Sequence, residues 1–243
     1  MLLDTHSHVL PDVDDGAKTV EETVALLEKL KEQGVTDVIA TPHMRPTAPN
    51  GEEYYQKIHK VFDQTVRLAE EKGLPRLHLG YEVAYFYGMA NFEGIGRYTM
   101  AGTDKILLEL PFEKIQDRMV EDILEMSYRN RLLPIFAHLE RYLHFDSSER
   151  ILQLVNDGDA LAQITATAAD NRAEWRAVKR LITARAISFV GSDTHSTDRR
   201  PPQLDLLFAK TEKTFGKGFE QYIDDNNRQF LAEIESAHKE KKQ

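Results

Sequence analysis

The order of its segments marks the chain as an α/β protein built from βα units and curled into a barrel. Three observations predict this. Short apolar runs alternate with amphipathic helical segments along most of the length, the pattern of a parallel sheet. Seven such runs occur, a number that implies a closed or nearly closed barrel more than an open sheet. The 243 residues, 41% hydrophobic and 29% charged, contain no linker, low-complexity stretch or clear repeat, so a single domain over residues 1–243 is expected.

Each element has its own signal. "MLLDTH" reads as a strand. "TVEETVALLEKLKEQG" reads as a helix, with Thr19 and Glu22 at capping-box spacing and Gly34 as its stop. "VTDVIAT" is strand-like, and "EEYYQKIHKVFDQTVRLAEEKG" is a long amphipathic helix ending at Gly73. "RLHLGYEV" and "KILLEL" follow as strands, separated by an irregular, aromatic-rich segment. Then "MVEDILEMSYRN" is helical, "LLPIFAH" a strand, "SERILQLVNDG" helical and "LAQITA" a strand. "AEWRAVKRLITARA" is helical, and "ISFVGSDTH" is the last strand. From Pro201 onward the chain reads as helices ending in the solvated tail "HKEKKQ".

Composition narrows the chemistry. The net charge of −9 and pI near 5.5 disfavour nucleic-acid binding, which needs a basic surface to displace counterions. No apolar run reaches the roughly 18 residues that suggest a membrane span, and the start lacks the basic and apolar regions of a signal peptide. A cytoplasmic protein without membrane insertion is expected. There are no cysteines, which excludes disulfides, thiolate zinc sites and cysteine nucleophiles. G-x-S-x-G and the phosphate-binding G-x-x-x-x-G-K-[ST] loop are absent, and "GIGRYT" lacks the third glycine of a dinucleotide fingerprint. Histidines, carboxylates and arginines must carry any chemistry.

These residues gather at the strand ends. His6, His8 and the aspartates follow the first strand, and His43 follows the second in "ATPHMR". Glu82 ends the third in "GYEV" and Glu109 the fourth in "LLELPF". His138, Glu140 and Arg141 end the fifth in "FAHLER", and Asp193 and His195 the seventh in "VGSDTH". In a parallel barrel the C-terminal strand ends share one face, so residues scattered along the chain converge there. Singly, each motif has an ordinary structural reading, and His59, His78, His144 and His238 read as packing or surface residues. Together they do not, because five of the nine histidines sit at strand ends beside apolar runs. Burying so many ionisable groups is costly, and metal ligation relieves the cost. Imidazole with carboxylate suits zinc, manganese or iron. Side chains two apart on an extended segment point the same way, so His6 and His8 can grip one ion, and Asp193 with His195 would repeat that geometry. The two pairs could also serve different ions.

With these residues assembled, the motifs D-x-H-x-H, DDG, ATPH, G-x-E, E-[LF]-P-F, AH-x-ER, QIT and SD-x-H stand in order from Asp4 to His195. In this the chain resembles the polymerase and histidinol phosphatase family of metal-dependent phosphoesterases. It is most similar to the bacterial protein-tyrosine phosphatases of capsule and exopolysaccharide operons. The resemblance implies a distorted (β/α)₇ TIM-like barrel holding three divalent metals, often manganese. By position it implies His6, His8, Glu82 and Asp193 around one metal. Glu82 as a bridge, Glu109 and His138 would surround a second. Asp15, with Asp14 the less favoured of the pair, His43 and His195 would surround a third. It also implies phosphate-binding arginines at Arg141 and Arg200, with Arg199 the alternative to Arg200, and Asp4 as a residue orienting the site; Asp12 receives no role. Two departures from the family pattern are Leu139 in place of proline, and Ala166-Thr167 in place of Ser-Gly.

The implied reaction is phosphomonoester hydrolysis, with a phosphotyrosine protein as substrate, expected to be a bacterial tyrosine autokinase. The alternative is histidinol phosphate or another small phosphoester. A guanidinium fork suits phosphate better than an ammonium does. Tyr85, Phe86 and Tyr87, in the aromatic segment 81–92, are placed either to stack on a phenyl ring or to cover the end of the barrel core. "MRPTAPNGEEYY" is expected to form a mobile rim.

Overall fold

A computed structural model describes residues 3–145 and 148–240. Met1 and Leu2 of the first run, and the last three residues of the tail, lie outside them. Among the described residues nine short strands form: β1 (Leu3–Ser7), β2 (Asp37–Ala40), β3 (His43–Met44), β4 (Arg76–Leu79), β5 (Glu82–Ala84), β6 (Lys105–Glu109), β7 (Leu133–Phe136), β8 (Leu161–Thr165) and β9 (Phe189–Gly191). Every pairing among them is parallel. Their order is β1-β2-β4 in one sheet and β3-β5-β6-β7-β8-β9 in the other.

The two sheets are parts of one curled wall. β2 leads into β3 and β4 into β5, so the second and third staves are each broken in the middle. This corrects the reading of "RLHLGYEV" as one strand. Between β2 and β3 stands Pro42, which has no N–H to donate, so the ladder cannot run through unbroken. It bridges the gap with Gly80 N to Ala40 O (2.9 Å) and Glu82 N to Pro42 O (3.1 Å). The last stave meets the first through a parallel bridge between Ser7 and Thr194. Asp193 N donates to His6 O (2.8 Å) and His8 N to Thr194 O (2.9 Å). Seven staves thus curl into a distorted parallel barrel.

Helices cover the outside: α1 (Val20–Glu32), α2 (Gly51–Lys72), α3 (Asp117–Asn130), α4 (Ser148–Asp157) and α5 (Arg172–Thr183). The Thr19 hydroxyl caps α1 by accepting from Glu22 N (3.2 Å), while Glu22 reaches back one residue further than a capping box, to Lys18 N (2.6 Å). Gly34 and Gly73 end α1 and α2 with φ of 81° and 61°, the left-handed turn that glycine adopts without strain. Between β5 and β6 there is no α-helix. Three short 3₁₀ turns at Met89–Asn91, Ile95–Tyr98 and Met100–Gly102 take its place and account for part of the distortion.

Two apolar layers result. An outer one lies between strands and helices. An inner one, with Leu3, Ile39, Leu107, Ile135 and Phe189, fills the barrel. The C-terminal helices α6 (Leu204–Phe215) and α7 (Gly218–Glu240) follow β9. α7 closes the N-terminal end of the barrel with Phe230 and Ile234, and Phe230 lies 5.1 Å from the Phe189 ring. The opposite end is left for polar residues. In β6, Leu107 belongs to the inner layer and Glu109, two residues on, shares its face.

Candidate metal centre

Glu82, at the start of β5, is the hub of the cluster at the C-terminal end of the staves. Its Oε2 lies 3.3 Å from His6 Nε2, 3.3 Å from His8 Nε2 and 3.0 Å from His43 Nδ1, and it is buried, yet it accepts no hydrogen bond. Its Oε1 lies 2.9 Å from His138 Nε2. Glu109 stands 3.7 Å from His138 Nε2 and 4.0 Å from His43 Nδ1. Asp193 Oδ1 is 3.6 Å from Nε2 of both His6 and His8. On the outer side, Asp15 Oδ1 lies 3.3 Å from His43 Nε2 and 3.4 Å from His195 Nε2.

Asp14 does something else. It takes Nδ1 of His8 at 2.7 Å and the backbone N–H groups of Gly16 and His43 at 2.9 and 3.1 Å, so it orients two histidines instead of joining the donor face. His6 Nδ1 is held in the same way by Gln163 Oε1 at 2.8 Å. Asp4 accepts from Ser192 N (2.8 Å), Ser192 Oγ (2.6 Å) and His6 N (3.3 Å), tying the loop that carries Asp193 to the strand that carries His6. The two backbones touch at Gly191, where any Cβ would stand 2.4 Å from the Cβ of His6.

Asp193 itself is not on an extended strand. β9 stops at Gly191, and Asp193 has φ of 52°, so the Asp193–His195 pair does not repeat the His6–His8 geometry. His138 is also left-handed, with φ of 34°. Non-glycine residues in this region store backbone strain and concentrate at functional sites.

The donor set fits divalent cations. His6 Nε2 and His8 Nε2 face each other at 3.1 Å, the spacing that bonds of about 2.1 Å to one ion impose. Three sets of donor atoms lie within 4.8 Å of one another: His8, Asp15, His43 and His195; His6, His8 and Asp193; and His43, Glu82 and Glu109. The electrostatics agree. Burial opposes ionisation of Glu82 and Asp193, but the surrounding histidines, joined at Asp193 by two arginines, hold both well below the usual carboxylate range. Burial lowers His138, and burial with the charge of His8 pushes His195 down to about 4. Ionised carboxylate and neutral imidazole are the forms that ligate metal. Against burial, the neighbouring carboxylates Glu82, Asp193 and Asp14 raise His6, His8 and His43, so a cation bound there would displace protons from these three rings. Burial and the charge of Glu82 raise Glu109, against the opposing effect of His43 and His6.

Both predicted arginines reach this cluster at one atom. Asp193 Oδ2 accepts from Arg141 Nη2 (2.6 Å) and from Arg200 Nη2. Arg200 Nη1 also lies 3.0 Å from His195 Nε2. The Arg200 carbonyl accepts from Thr194 Oγ1 (2.8 Å) and His195 N (3.0 Å), which turns this side chain inward and leaves Arg199 exposed. Arg141 is steadied by Thr165 and Thr167 hydroxyls at 3.4 and 3.3 Å, so one of the departures from the family pattern touches it directly. Glu140, fully buried and pushed by burial up to about 7, accepts from Thr165 N (3.1 Å) and Oγ1 (2.6 Å).

Sequence reasoning gave no role to Gln163, Glu140 or Phe112. The QIT, AH-x-ER and E-[LF]-P-F motifs contain them in that order, but nothing in the spacing says where they point. Phe112 stacks on His138 (5.8 Å, 16°) and Tyr142 (5.2 Å, 22°), yet remains 54% exposed. Tyr85 and Phe86 pack partly on the outer core and line a cleft beside Glu109. Tyr87 does not line it; it is exposed beneath Arg118, 3.7 Å away. Of the histidines read as packing residues, His78 bonds Asp37 at 2.9 Å and His59 bonds Tyr81 at 2.9 Å.

Residues 2–232 match the family model for capsular polysaccharide synthesis, CpsB/CapC. The chain belongs to this family. It is 29% identical over 231 residues to the tyrosine-protein phosphatase CpsB of Streptococcus agalactiae serotype III (strain NEM316), covering 89% of this chain and 92% of that protein. It is 27% identical over 232 residues to the tyrosine-protein phosphatase YwqE of Bacillus subtilis (strain 168), covering 93% and 89%. A solved structure from work on YwqE from Bacillus subtilis and CpsB from Streptococcus pneumoniae, described as unique metal-dependent tyrosine phosphatases, superposes with a TM-score of 0.83. Its sequence identity is 24%, over 95% of this chain and 94% of that one. Histidinol phosphate phosphatase from Lactococcus lactis, complexed with zinc, L-histidinol and phosphate, shares the fold more distantly. Its TM-score is 0.56 and its identity 14%, over 88% and 95% of the two chains.

Proposed function

We propose that this CpsB/CapC family member is a metal-dependent, cysteine-independent protein-tyrosine phosphatase. The observation that carries the reading is Glu82 Oε2, buried among three imidazole nitrogens within 3.3 Å and accepting a hydrogen bond from none of them. Such an atom is costly unless a cation takes it up. Its relatives' activity and the absence of cysteine support the same reaction class.

The ligands would be His6, His8, Glu82 and Asp193 for one ion, Glu82, Glu109 and His138 for a second, and Asp15, His43 and His195 for a third, manganese being the preferred metal. Divalent ions there would supply an acidified water and neutralise phosphate oxygens. The chain's own part is to hold and orient. Asp14 and Gln163 each bond one ring nitrogen of a histidine, which leaves the other nitrogen free as a donor. Arg141 and Arg200 present guanidinium forks next to the cluster, where a phosphate can replace Asp193 Oδ2 as their acceptor. The substrate would be a phosphotyrosine protein, a tyrosine autokinase of capsule or exopolysaccharide synthesis, met in the cytoplasm. The residues from 1 to 243 would act as one domain. Among the described residues no helix is long and apolar enough to cross a membrane.

The test is an assay of protein stripped of metal and reloaded with manganese, zinc or iron, against a phosphotyrosine peptide, a phosphoserine peptide and histidinol phosphate. Metal-restored activity greatest on the phosphotyrosine peptide is expected. Activity on histidinol phosphate far above that on the peptide would overturn the substrate assignment, and activity indifferent to metal would overturn the mechanism.

A further inference from the structure

Two depressions flank the cluster, and they differ in chemistry. One, of about 350 Å³, is bordered by Asp15, Glu22, Asp198 and His195 with Lys18, Arg199 and Arg200, and carries no phenylalanine, tyrosine or tryptophan. The other, of about 510 Å³, opens beside Glu109 and is walled by Tyr85, Phe86, Pro111 and Phe112, with Arg45 and Thr47 completing its lining. Glu109 belongs both to this cleft and to the donor set, so a phosphate seated on the cluster stands at the cleft's inner end. The group esterified to that phosphate has these two depressions beside it.

We propose that the cleft beside Glu109 is the leaving-group subsite, and that Phe112 makes it selective for the aromatic ring of an aryl phosphate. This rests on the phosphatase reading and deepens it. Phe112 is fixed from behind, stacked nearly parallel on His138 and Tyr142, so its ring plane is set by the metal-side histidine. With half its surface open, it offers a flat apolar face at the entrance. A phenol ring is joined to its phosphate by a single oxygen and must therefore lie close to the cluster, where Phe112 stands. The aliphatic linker of a phosphoserine is too slender to cover this face. The first depression, where Lys18, Arg199 and Arg200 face Asp15, Glu22 and Asp198, has no comparable apolar surface and suits the charged or backbone groups of a protein substrate.

The experiment compares phenylphosphonate with methylphosphonate, two non-hydrolysable probes, by calorimetry on metal-loaded protein. It also compares turnover of phenyl phosphate with that of glycerol phosphate. In the unaltered protein phenylphosphonate should bind about tenfold more tightly, the size expected of one added aromatic contact. Phe112→Ala should erase that difference and raise KM for phenyl phosphate about tenfold relative to KM for glycerol phosphate, a ratio that any change common to both substrates leaves alone. Phe112→Tyr should restore the preference. Equal affinity for the two phosphonates in the unaltered protein, or a preference that survives Phe112→Ala, overturns the subsite. A preserved phenylphosphonate preference without turnover of a phosphotyrosine peptide instead defeats the substrate reading and leaves the ring subsite standing.

Discussion

The two ends of the barrel both bury carboxylates against basic side chains, but only one end is balanced. At the N-terminal end, Asp37 Oδ1 accepts from Arg76 Nε (2.6 Å) and His78 Nε2 (2.9 Å), while Thr36 Oγ1 donates to Oδ2 (3.0 Å). Lys105 is likewise shared between Asp104 (3.0 Å) and Glu233 (2.6 Å) of α7. Every carboxylate oxygen named here has a donor. At the C-terminal end, Glu82, Glu109, Asp193 and Asp15 crowd around histidines, and one Glu82 oxygen and His138 Nδ1 are buried without a hydrogen-bond partner. The same residue types thus make a structural ion pair at one end and a cation site at the other. The discriminator is whether the donors are satisfied by each other.

That contrast breaks if Glu82 behaves like Asp37. Glu82→Gln should abolish metal retention and cut phosphatase activity roughly 10³-fold while the fold persists, read by elemental analysis, kinetics and circular dichroism. Loss of thermal stability with metal content unaltered would place Glu82 among structural ion pairs. Next in size, Arg141→Lys should lower kcat/KM about 10²-fold with metal content intact, because Arg141 reaches Asp193 and both threonine hydroxyls through Nη2 alone and keeps further N–H groups for a phosphate, which an ammonium cannot match in planar geometry. Gln163→Met should weaken metal affinity by roughly 10-fold or more through the lost bond to His6, measured by metal titration. The smallest effect belongs to the balanced end. Burial opposes the ionisation of Asp37, but bonds from His78, Arg76 and Thr36 hold its pKa at about 2. Its folded pKa is therefore depressed below the ordinary value of about 3.9, and the stability it contributes is present above pH 4 and lost as pH falls through about 2. Asp37→Asn should cost about 1–2 kcal/mol at pH 7, with Arg76 partly solvated, and activity should survive. Urea denaturation from pH 7 down to 2 should show the two proteins converging.

Much of this was readable beforehand. The seven staves, the helix stops at Gly34 and Gly73, and the gathering of His6, His8, His43, Glu82, Glu109, His138, Asp193 and His195 at strand ends follow from apolar periodicity and from where polar residues interrupt it. Less could be read where the chain leaves regular geometry. "RLHLGYEV" looked like one strand because nothing in its own residues reports that Pro42 faces it across the ladder. "ISFVGSDTH" looked extended through His195, but the contact of Gly191 with His6 and the bonds from Ser192 to Asp4 bend it at Asp193. Phe112 ends the E-[LF]-P-F motif, but its stacking on His138 and Tyr142, which stand more than twenty residues on, is set by the fold and not by its neighbours in sequence.

The residue types that can ligate and their order along the barrel were therefore determined by the sequence itself, since period-two alternation assigns a side chain to a face within a strand. Tertiary structure alone decided the directions taken in the loops. It turned Asp15 toward His43 and His195 and Asp14 toward His8, brought Arg141 and Arg200 onto the same oxygen of Asp193, and made Glu82 the hub. His138 and Asp193 hold positive φ while buried among residues distant in the chain, and no local pattern encodes that.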